Sequence, residues 1–290
     1  MQPVIEVTPS RTAFVGGAQV RRALPIHARR TIGAWCFLDH FGPAPVTPTT
    51  ATMVGPHPHL GLQTVTWLLD GELLHRDSLG SDQLIRPGQL NLMSAGRGVA
   101  HAEDGRDRKA RSIHGVQLWV AQPEATRHGA AAFEHHAELP VVELGHGTAT
   151  VMVGTAHDVT SPARHDTPLL GVDLALRGPV ELSLDATHEH ALVVLSGRLT
   201  VDGVRLAVDD LCYLGGGRDA LRLDADEPTR ALLLGGEPFG DDVLMWWNFV
   251  ARTRGEVESA WQDWETGSER FGEVHSTLER IPAPRPEWLT

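Results

Sequence analysis

The 290-residue chain is poor in thiols, in positive charge and in long apolar runs. Its two cysteines, Cys36 and Cys212, are too few for a disulfide framework, an iron–sulfur cluster or a four-cysteine zinc module. Both are flanked by apolar residues and read as small core side chains. Lys and Arg number 25 against 37 Asp and Glu, a net charge of −12 with histidine neutral, and so acidic a surface repels phosphate. Direct nucleic-acid binding is not expected. No apolar run approaches the roughly 18 residues of a membrane span, and Met1-Gln-Pro-Val-Ile-Glu-Val lacks the basic and apolar regions of a secretory signal. These absences predict a soluble, cytoplasmic protein. His75-Arg-Asp matches a kinase catalytic loop in letters only, since no Gly-rich loop with its lysine and no Asp-Phe-Gly accompany it.

What remains is rich in short strands. Val65-Thr-Trp-Leu-Leu, Gly115-Val-Gln-Leu-Trp-Val, Ala149-Thr-Val-Met-Val and Ala191-Leu-Val-Val-Leu are brief β-branched and aromatic runs bounded by turn formers. Many such runs at close spacing predict an all-β sandwich or barrel. An internal repeat predicts two of them. Leu68-Leu-Asp-Gly-Glu-Leu-Leu resembles Val194-Leu-Ser-Gly-Arg-Leu-Thr, and Pro87-Gly-Gln-Leu-Asn-Leu-Met-Ser-Ala-Gly-Arg answers Val208-Asp-Asp-Leu-Cys-Tyr-Leu-Gly-Gly-Gly-Arg. The expected domains are 1–130 and 140–290, with 121–139 as linker. One segment has helical periodicity: over 256–265, Val257, Ala260, Trp261 and Trp264 form an apolar stripe suited to docking on a barrel face. The tail from Ile281 is expected to be extended. The Pro- and Thr-rich stretch 42–50 is expected to be a loop at a mouth or lid, and the basic run 106–111 a solvated loop. His135, His136 and His157 are expected at the surface.

Sixteen histidines and so few thiols mean that any metal site here must be built from imidazole and carboxylate. Two triplets stand out, His57-Pro58-His59 and His101-Ala102-Glu103. In a strand, residues two apart point to the same face, so each triplet aims two ligand-type side chains at one side of a sheet. If the two strands neighbour one another, three imidazoles and one carboxylate converge. That set suits Fe(II), Mn, Co or Ni and tolerates Zn or Cu, and it leaves two positions of a six-coordinate ion open. Pro58 favours an edge strand or a strand start. The Gly-rich turn at 95–100 lets the chain approach a crowded interior before the second triplet. The plainer alternative is two pairs of half-buried strand histidines bonded to carbonyls.

Gly55-Pro-His-Pro-His-Leu-Gly-Leu-Gln-Thr-Val-Thr-Trp-Leu-Leu-Asp-Gly-Glu, then His75-Arg-Asp-Ser-Leu-Gly, then Met93-Ser-Ala-Gly-Arg-Gly-Val-Ala-His-Ala-Glu, strongly resembles the pirin family of the cupin superfamily. His114-Gly-Val-Gln-Leu-Trp-Val and Gly235-Gly-Glu-Pro-Phe-Gly also look like pirin segments, so the resemblance runs from about residue 31 to 272. It implies two tandem cupin-type β-barrels and one metal, usually Fe(II), in the N-terminal one, with ligands falling on His57, His59, His101 and Glu103. Many pirins follow the first motif with Arg, Gly, Phe, Glu where this chain has Leu60, Gly61, Leu62, Gln63. Substrate and partner preference therefore transfer less well than the metal. His188-Glu-His190 looks like a first half-motif in the second barrel, but its counterpart Asp219-Ala-Leu-Arg offers no ligand pair. That barrel is expected to be metal-free.

The resemblance implies a dioxygenase of the quercetin 2,3-dioxygenase kind. A flavonol such as quercetin would chelate the metal through its adjacent hydroxyl and carbonyl and react with dioxygen, and Glu103 would serve as ligand and general base. His75, His114 and Gln117 are candidates to orient the ligands, and Phe37, Phe41, Leu62 and Trp67 to wall the cavity. The family also implies an alternative, a non-enzymatic metal-dependent regulator that binds a transcription or metabolic protein partner. A sugar or small-acid isomerase has support at the level of fold alone.

Overall fold

The computed structural model describes residues 4–47, 53–105 and 111–289. Strands β1 Glu6–Pro9, β2 Arg11–Val15, β3 Ala18–Leu24 and β4 Trp35–Pro45 open the chain. There follow β5 Met53–His59, β6 Leu62–Asp70, β7 Leu73–Asp77, β8 Asp82–Ile85, β9 Leu90–Ser94, β10 Val99–Asp104, β11 Ser112–Ala121 and β12 Ala132–His136. The next are β13 Val141–Glu143, β14 Gly147–Val153, β15 Thr155–Ala156, β16 Val159–Thr160, β17 Leu169–Leu176, β18 Val180–Ser183 and β19 Glu189–Ser196. Then come β20 Leu199–Val201, β21 Val204–Leu206, β22 Asp210–Gly216, β23 Ala220–Asp224, β24 Thr229–Gly236, β25 Leu244–Trp246, β26 Phe249–Ala251 and the helix α1 Arg254–Thr266. The all-β expectation holds, and the four runs singled out in the sequence are β6, β11, β14 and β19. No helix among the described residues is long and apolar enough to cross a membrane.

The chain divides into two compact units. The first barrel is built from Phe14–Val20, Phe41–His135 and Gly240–Thr290, and the second from Met1–Ala13, Arg21–His40 and His136–Phe239. This division differs at both ends from 1–130 and 140–290, although the change near residue 136 falls in the anticipated linker. Pairing explains the difference at the N-terminus: β1 lies antiparallel to β22, Glu6 opposite Tyr213, and so joins the sheet of the later residues. Apolar packing explains it at the C-terminus. The helix buries Val257, Ala260 and Trp264 against Leu60, Ala100, Phe249 and Phe271, all residues of the first barrel.

In the first barrel, one sheet runs β5-β10-β7-β8, and the other contains β12-β9-β6-β11 and the Phe41–Pro45 end of β4. In the second barrel, the sheet β1-β22-β19-β24-β17-β14-β13 and the sheet β18-β23-β20-β21 share one apolar interior. Leu170, Val172, Leu192, Val194, Leu221 and Leu233 meet there, each contributing roughly 1.5–3 kcal/mol by leaving water. Both cysteines are buried and free.

The helix is longer by two residues at its start and one at its end than the stripe predicts. Thr253 caps it by accepting from the Glu256 N–H, and Gly267, with φ at +70°, ends it in the left-handed region. The stretch 42–50 is not all loop, because β4 continues to Pro45; residues 48–50 lie outside the described residues, as do 106–110 of the basic run. His135 and His136 are half-buried rather than at the surface, with His135 Nδ1 2.7 Å from Asn91 Oδ1.

Candidate metal centre

Strand β10 is central in its sheet, with β5 on one side and β7 on the other. Antiparallel register sets His101 directly opposite His57 and Val99 opposite His59. On the other side, His101 stands opposite Asp77 and Glu103 opposite His75. Period two therefore brings His57 and His59, His101 and Glu103, and His75 and Asp77 onto one buried face. The two prolines of β5, Pro56 and Pro58, are tolerated because β5 is the edge strand, as Pro58 predicts.

Three of these side chains meet. The ligand nitrogens of His57, His59 and His101 lie within 4.8 Å of one another, and the three ring centroids are 4.4–5.0 Å apart. Each ring is fixed in one tautomer. His57 Nδ1 is 2.8 Å from the Gly55 carbonyl and His59 Nδ1 is 3.0 Å from the Asn248 carbonyl. A carbonyl only accepts, so both Nδ1 atoms carry the proton and both Nε2 atoms are bare. The third ring is set through a relay. Asp77 accepts from His75 Nε2 at 3.1 Å, and with His75 neutral its Nδ1 accepts from His101 Nδ1 at 3.3 Å. His101 Nε2 is then bare as well.

Two bare nitrogens, His59 Nε2 and His101 Nε2, face each other at 3.0 Å. Lone pair against lone pair is repulsive unless a proton or a cation lies between them. Burial disfavours the proton: it pushes His57 down to about 4 and holds His59 and His101 well below the ordinary value of 6.5. The residues therefore fit a divalent cation, and the donor set without thiolate matches the expected metals.

Glu103 is not one of the three meeting groups. The register of β10 against β5 slips between His101 and Glu103, which places this carboxyl beside His75 and Thr66. Thr66 Oγ1 is 3.0 Å from Gln117 Oε1 and 3.5 Å from Glu103 Oε1, so its single proton serves Gln117 better and Glu103 is loosely held. Burial raises the Glu103 pKa, against the lowering pull of His75 and Thr66. Asp77 is instead lowered: burial pulls it up, but hydrogen bonds from His75 and the Ser81 N–H outweigh that.

The remaining expected residues divide. Gln117 lies directly opposite Thr66, on the Glu103 side. Leu62 shares the face of Thr66 on β6, whereas Trp67 is one residue on and points to the other face. Phe41 packs under Gly115, where a Cβ would come within 2.9 Å of its ring. Phe37 belongs to the second unit, with the Arg22 guanidinium 4.5 Å from its ring centre. His114 is buried opposite Asp70, roughly 10 Å along β11 from Gln117. Trp119, Phe133 and Asn248 escape the sequence reading. Trp119 meets His59 edge-on at 5.2 Å, and Phe133 stacks on His75 at 4.5 Å. Of these only Trp119 had a usable signal, its two-residue spacing from Gln117.

A family model for pirin matches residues 17–120, and one for the pirin C-terminal cupin domain matches residues 170–272. A Pseudomonas aeruginosa protein named "putative quercetin 2,3-dioxygenase" is 48% identical over 97% of this chain and 90% of its own length. The crystal structure of a quercetin 2,3-dioxygenase from Acinetobacter baumannii superposes with a TM-score of 0.94 at 42% identity, covering 99% of this chain and 97% of that one. A bacterial pirin from Escherichia coli, solved in complex with nickel(II), shares the fold with a TM-score of 0.65 at 19% identity, covering 81% of this chain and all (100%) of that one. Two cupin-type β-barrels, a buried histidine triad in the first and matches across both halves make this chain a member of the pirin family.

Proposed function

We propose that the chain is a metal-dependent dioxygenase acting on a flavonol-like molecule and dioxygen, with His57, His59 and His101 as ligands and Glu103 as ligand and base. The observation that carries this reading is the convergence of three tautomer-locked imidazoles on one buried point, with a loosely held carboxylate on the same face. The 3.0 Å between His59 Nε2 and His101 Nε2 sets two bare donors close enough to share one ion, and imidazole with carboxylate supports Fe(II). Mn, Co, Ni, Zn and Cu would take the same donors. The names of the two dioxygenase relatives support the substrate class. Buried free cysteines fit a reducing, cytoplasmic setting.

When bound, the metal supplies a Lewis acid that makes a coordinated hydroxyl more acidic and an electron relay toward dioxygen. The chain's part is to hold, orient and deprotonate. His57, His59 and His101 present neutral nitrogens without needing to shed protons. Glu103 takes the substrate hydroxyl proton on a carboxylate whose raised pKa favours holding it. Thr66, whose proton serves Gln117 first, leaves that carboxyl free to turn along the face. Trp119, Leu62 and Phe41 contribute apolar surface against which a flat molecule excludes water.

Oxygen uptake after adding quercetin to the Fe(II)-loaded protein tests the reading. Uptake is expected in the wild type and is expected to be lost in His101→Ala and Glu103→Ala. Turnover in metal-free protein, or in both variants, would overturn it. A loaded protein that consumes no oxygen, yet binds a protein partner differently in its ferrous and ferric states, would favour the regulator instead.

A further inference from the structure

The second barrel contains a cavity of about 920 Å³, a size typical of small-molecule sites. Leu170, Val172, Leu174 and Leu233 give it an apolar floor, and His157, Thr167 and His188 stand in its wall. Eight buried side-chain nitrogens and oxygens among the described residues have no hydrogen-bond partner, and three of them belong to this wall: His157 Nε2, Thr167 Oγ1 and His188 Nδ1. Native interiors rarely leave one such atom unsatisfied, so three in one cavity wall indicate groups placed for something that enters it.

His190 stands beside that wall without lining it. It is fully buried, two residues beyond His188, with the two ring centroids 6.0 Å apart. Glu189 between them faces away, accepting from the Gly33 N–H and the Tyr213 hydroxyl at 2.7 Å each. Gly235 lies opposite His190 in the sheet, and a Cβ there would stand 2.7 Å from the ring, so the backbone makes room for an imidazole that bonds to nothing. His157, expected at the surface, is half-buried in the two-residue turn between β15 and β16 with φ at +47°, a conformation costly for a side chain other than glycine.

The chemistry of the wall selects the ligand. His188 and His190 are two donors, and among the described residues the group of three or more that meets within ligand range is His57, His59 and His101, in the other barrel. A metal ion is therefore not favoured. Asp158, Asp166 and Asp185 also line the cavity and repel anions, and their oxygens accept from hydroxyl groups. The Thr167 hydroxyl both donates and accepts, the complement of another hydroxyl group. We propose that this cavity binds a neutral molecule bearing several hydroxyl groups on a compact carbon frame, held by His157, Thr167 and His188. The inference is independent of the metal centre.

The test uses the full chain stripped of metal with a chelator, so that the first barrel cannot capture the probe. Resorcinol, whose hydroxyls are not adjacent and do not chelate, and myo-inositol serve as the phenolic and aliphatic probes. Inorganic phosphate serves as the anion. Histidine-ring NMR is expected to show saturable shifts with at least one of the two hydroxyl probes and none with phosphate. His188→Ala and His157→Gly are each expected to weaken binding about tenfold, the latter without loss of stability because glycine suits that φ. His190→Leu, beside the wall, is expected to raise the melting temperature by removing a buried unpartnered ring. Absence of shifts with both hydroxyl probes, phosphate binding as tight as theirs, or undiminished binding in both His188→Ala and His157→Gly would overturn the proposal.

Discussion

A neutral imidazole owns one ring proton, and the atom that carries it decides whether the other nitrogen can hold a metal. At this centre the choice is made by groups that never approach the ligand nitrogens: two backbone carbonyls and, through His75, the carboxylate of Asp77. Asp77→Asn tests the relay. An asparagine oxygen can still accept from the Leu79 and Ser81 N–H groups, as Asp77 Oδ1 does at 2.9 and 3.0 Å, so the turn survives. Its amide NH₂, however, would face His75 Nε2 and require an acceptor there. The proton of His75 would move to Nδ1, that of His101 to Nε2, and the third ligand would be blocked. Metal affinity is expected to fall about 10- to 100-fold, measured by chelator competition, with little change in melting temperature. Unchanged affinity would show that the relay does not set the tautomer.

The same rings make the metal-free protein sensitive to acid. His57, His59 and His101 have folded pKa values below 6.5, His57 at about 4, and His190 in the second barrel is also lowered to about 4. Between those limits the unfolded chain binds protons that the folded chain refuses. Stability is therefore full above about pH 6.5 and declines as pH falls toward 4, by up to about 1 kcal/mol per pH unit for each ring. Denaturant midpoints measured on metal-free protein at about pH 7.5 and about pH 5 should differ accordingly, and equal midpoints would contradict the assignment.

At the scale of elements, the edge strand β5 carries two of the ligands and would be open to solvent along its outer side were it not covered. The C-terminal tail covers it: the Ile281 N–H donates to the Pro56 carbonyl at 2.9 Å, and the Trp264 indole donates to the Ile281 carbonyl at 2.9 Å. The tail passes so close that a Cβ on Gly55 would collide with the Glu279 carbonyl oxygen. Gly55→Ala should displace the tail and, through the Gly55 carbonyl, loosen His57, costing about 1–3 kcal/mol of stability along with metal affinity. Thermal melts and metal titration of the variant measure both, and an unperturbed variant would mean the tail is not a structural cover. Much of this face is legible in the sequence. The period of two in the triplets carries its ligands, Pro58 carries its edge position, and the paired turns of the repeat carry its duplication, since Gly71 and Gly197, and Gly88 and Asp209, all have positive φ at matching places. Trp119 and Thr66 were within reach of the same alternation. The position of Glu103 was not, because a slip of register has no local sequence signature here. Trp67 fails as a cavity wall for the reason that serves the ligands: one step along a strand reverses the face.

For the whole molecule, the finding with most consequence is that the first barrel is completed by the end of the chain. Read consecutively, residues 1–130 contain all four expected ligands and look self-sufficient. Yet the Asn248 carbonyl, which fixes the tautomer of His59, lies 189 residues downstream, and no pattern within 57–103 could announce it. Leu60 and Ala100, which flank the ligand triplets, are buried by Phe249, Val257, Trp264 and Phe271. The Leu60 carbonyl accepts from the Val250 N–H at 3.1 Å, and the Ala100 N–H donates to the Phe271 carbonyl at 3.0 Å. A chain ending at Phe239 keeps every candidate ligand and loses all of these contacts. Deleting them exposes a contiguous apolar face beside the site and frees His59 to rotate or to protonate Nε2. Such a chain is expected to retain β-rich circular dichroism, through the second barrel, while binding metal far more weakly than the full chain. Adding the 240–290 segment in trans should restore part of the affinity if docking alone is what is missing. Full metal affinity in the shortened chain would instead show that β5, β7 and β10 suffice to hold the imidazoles in place.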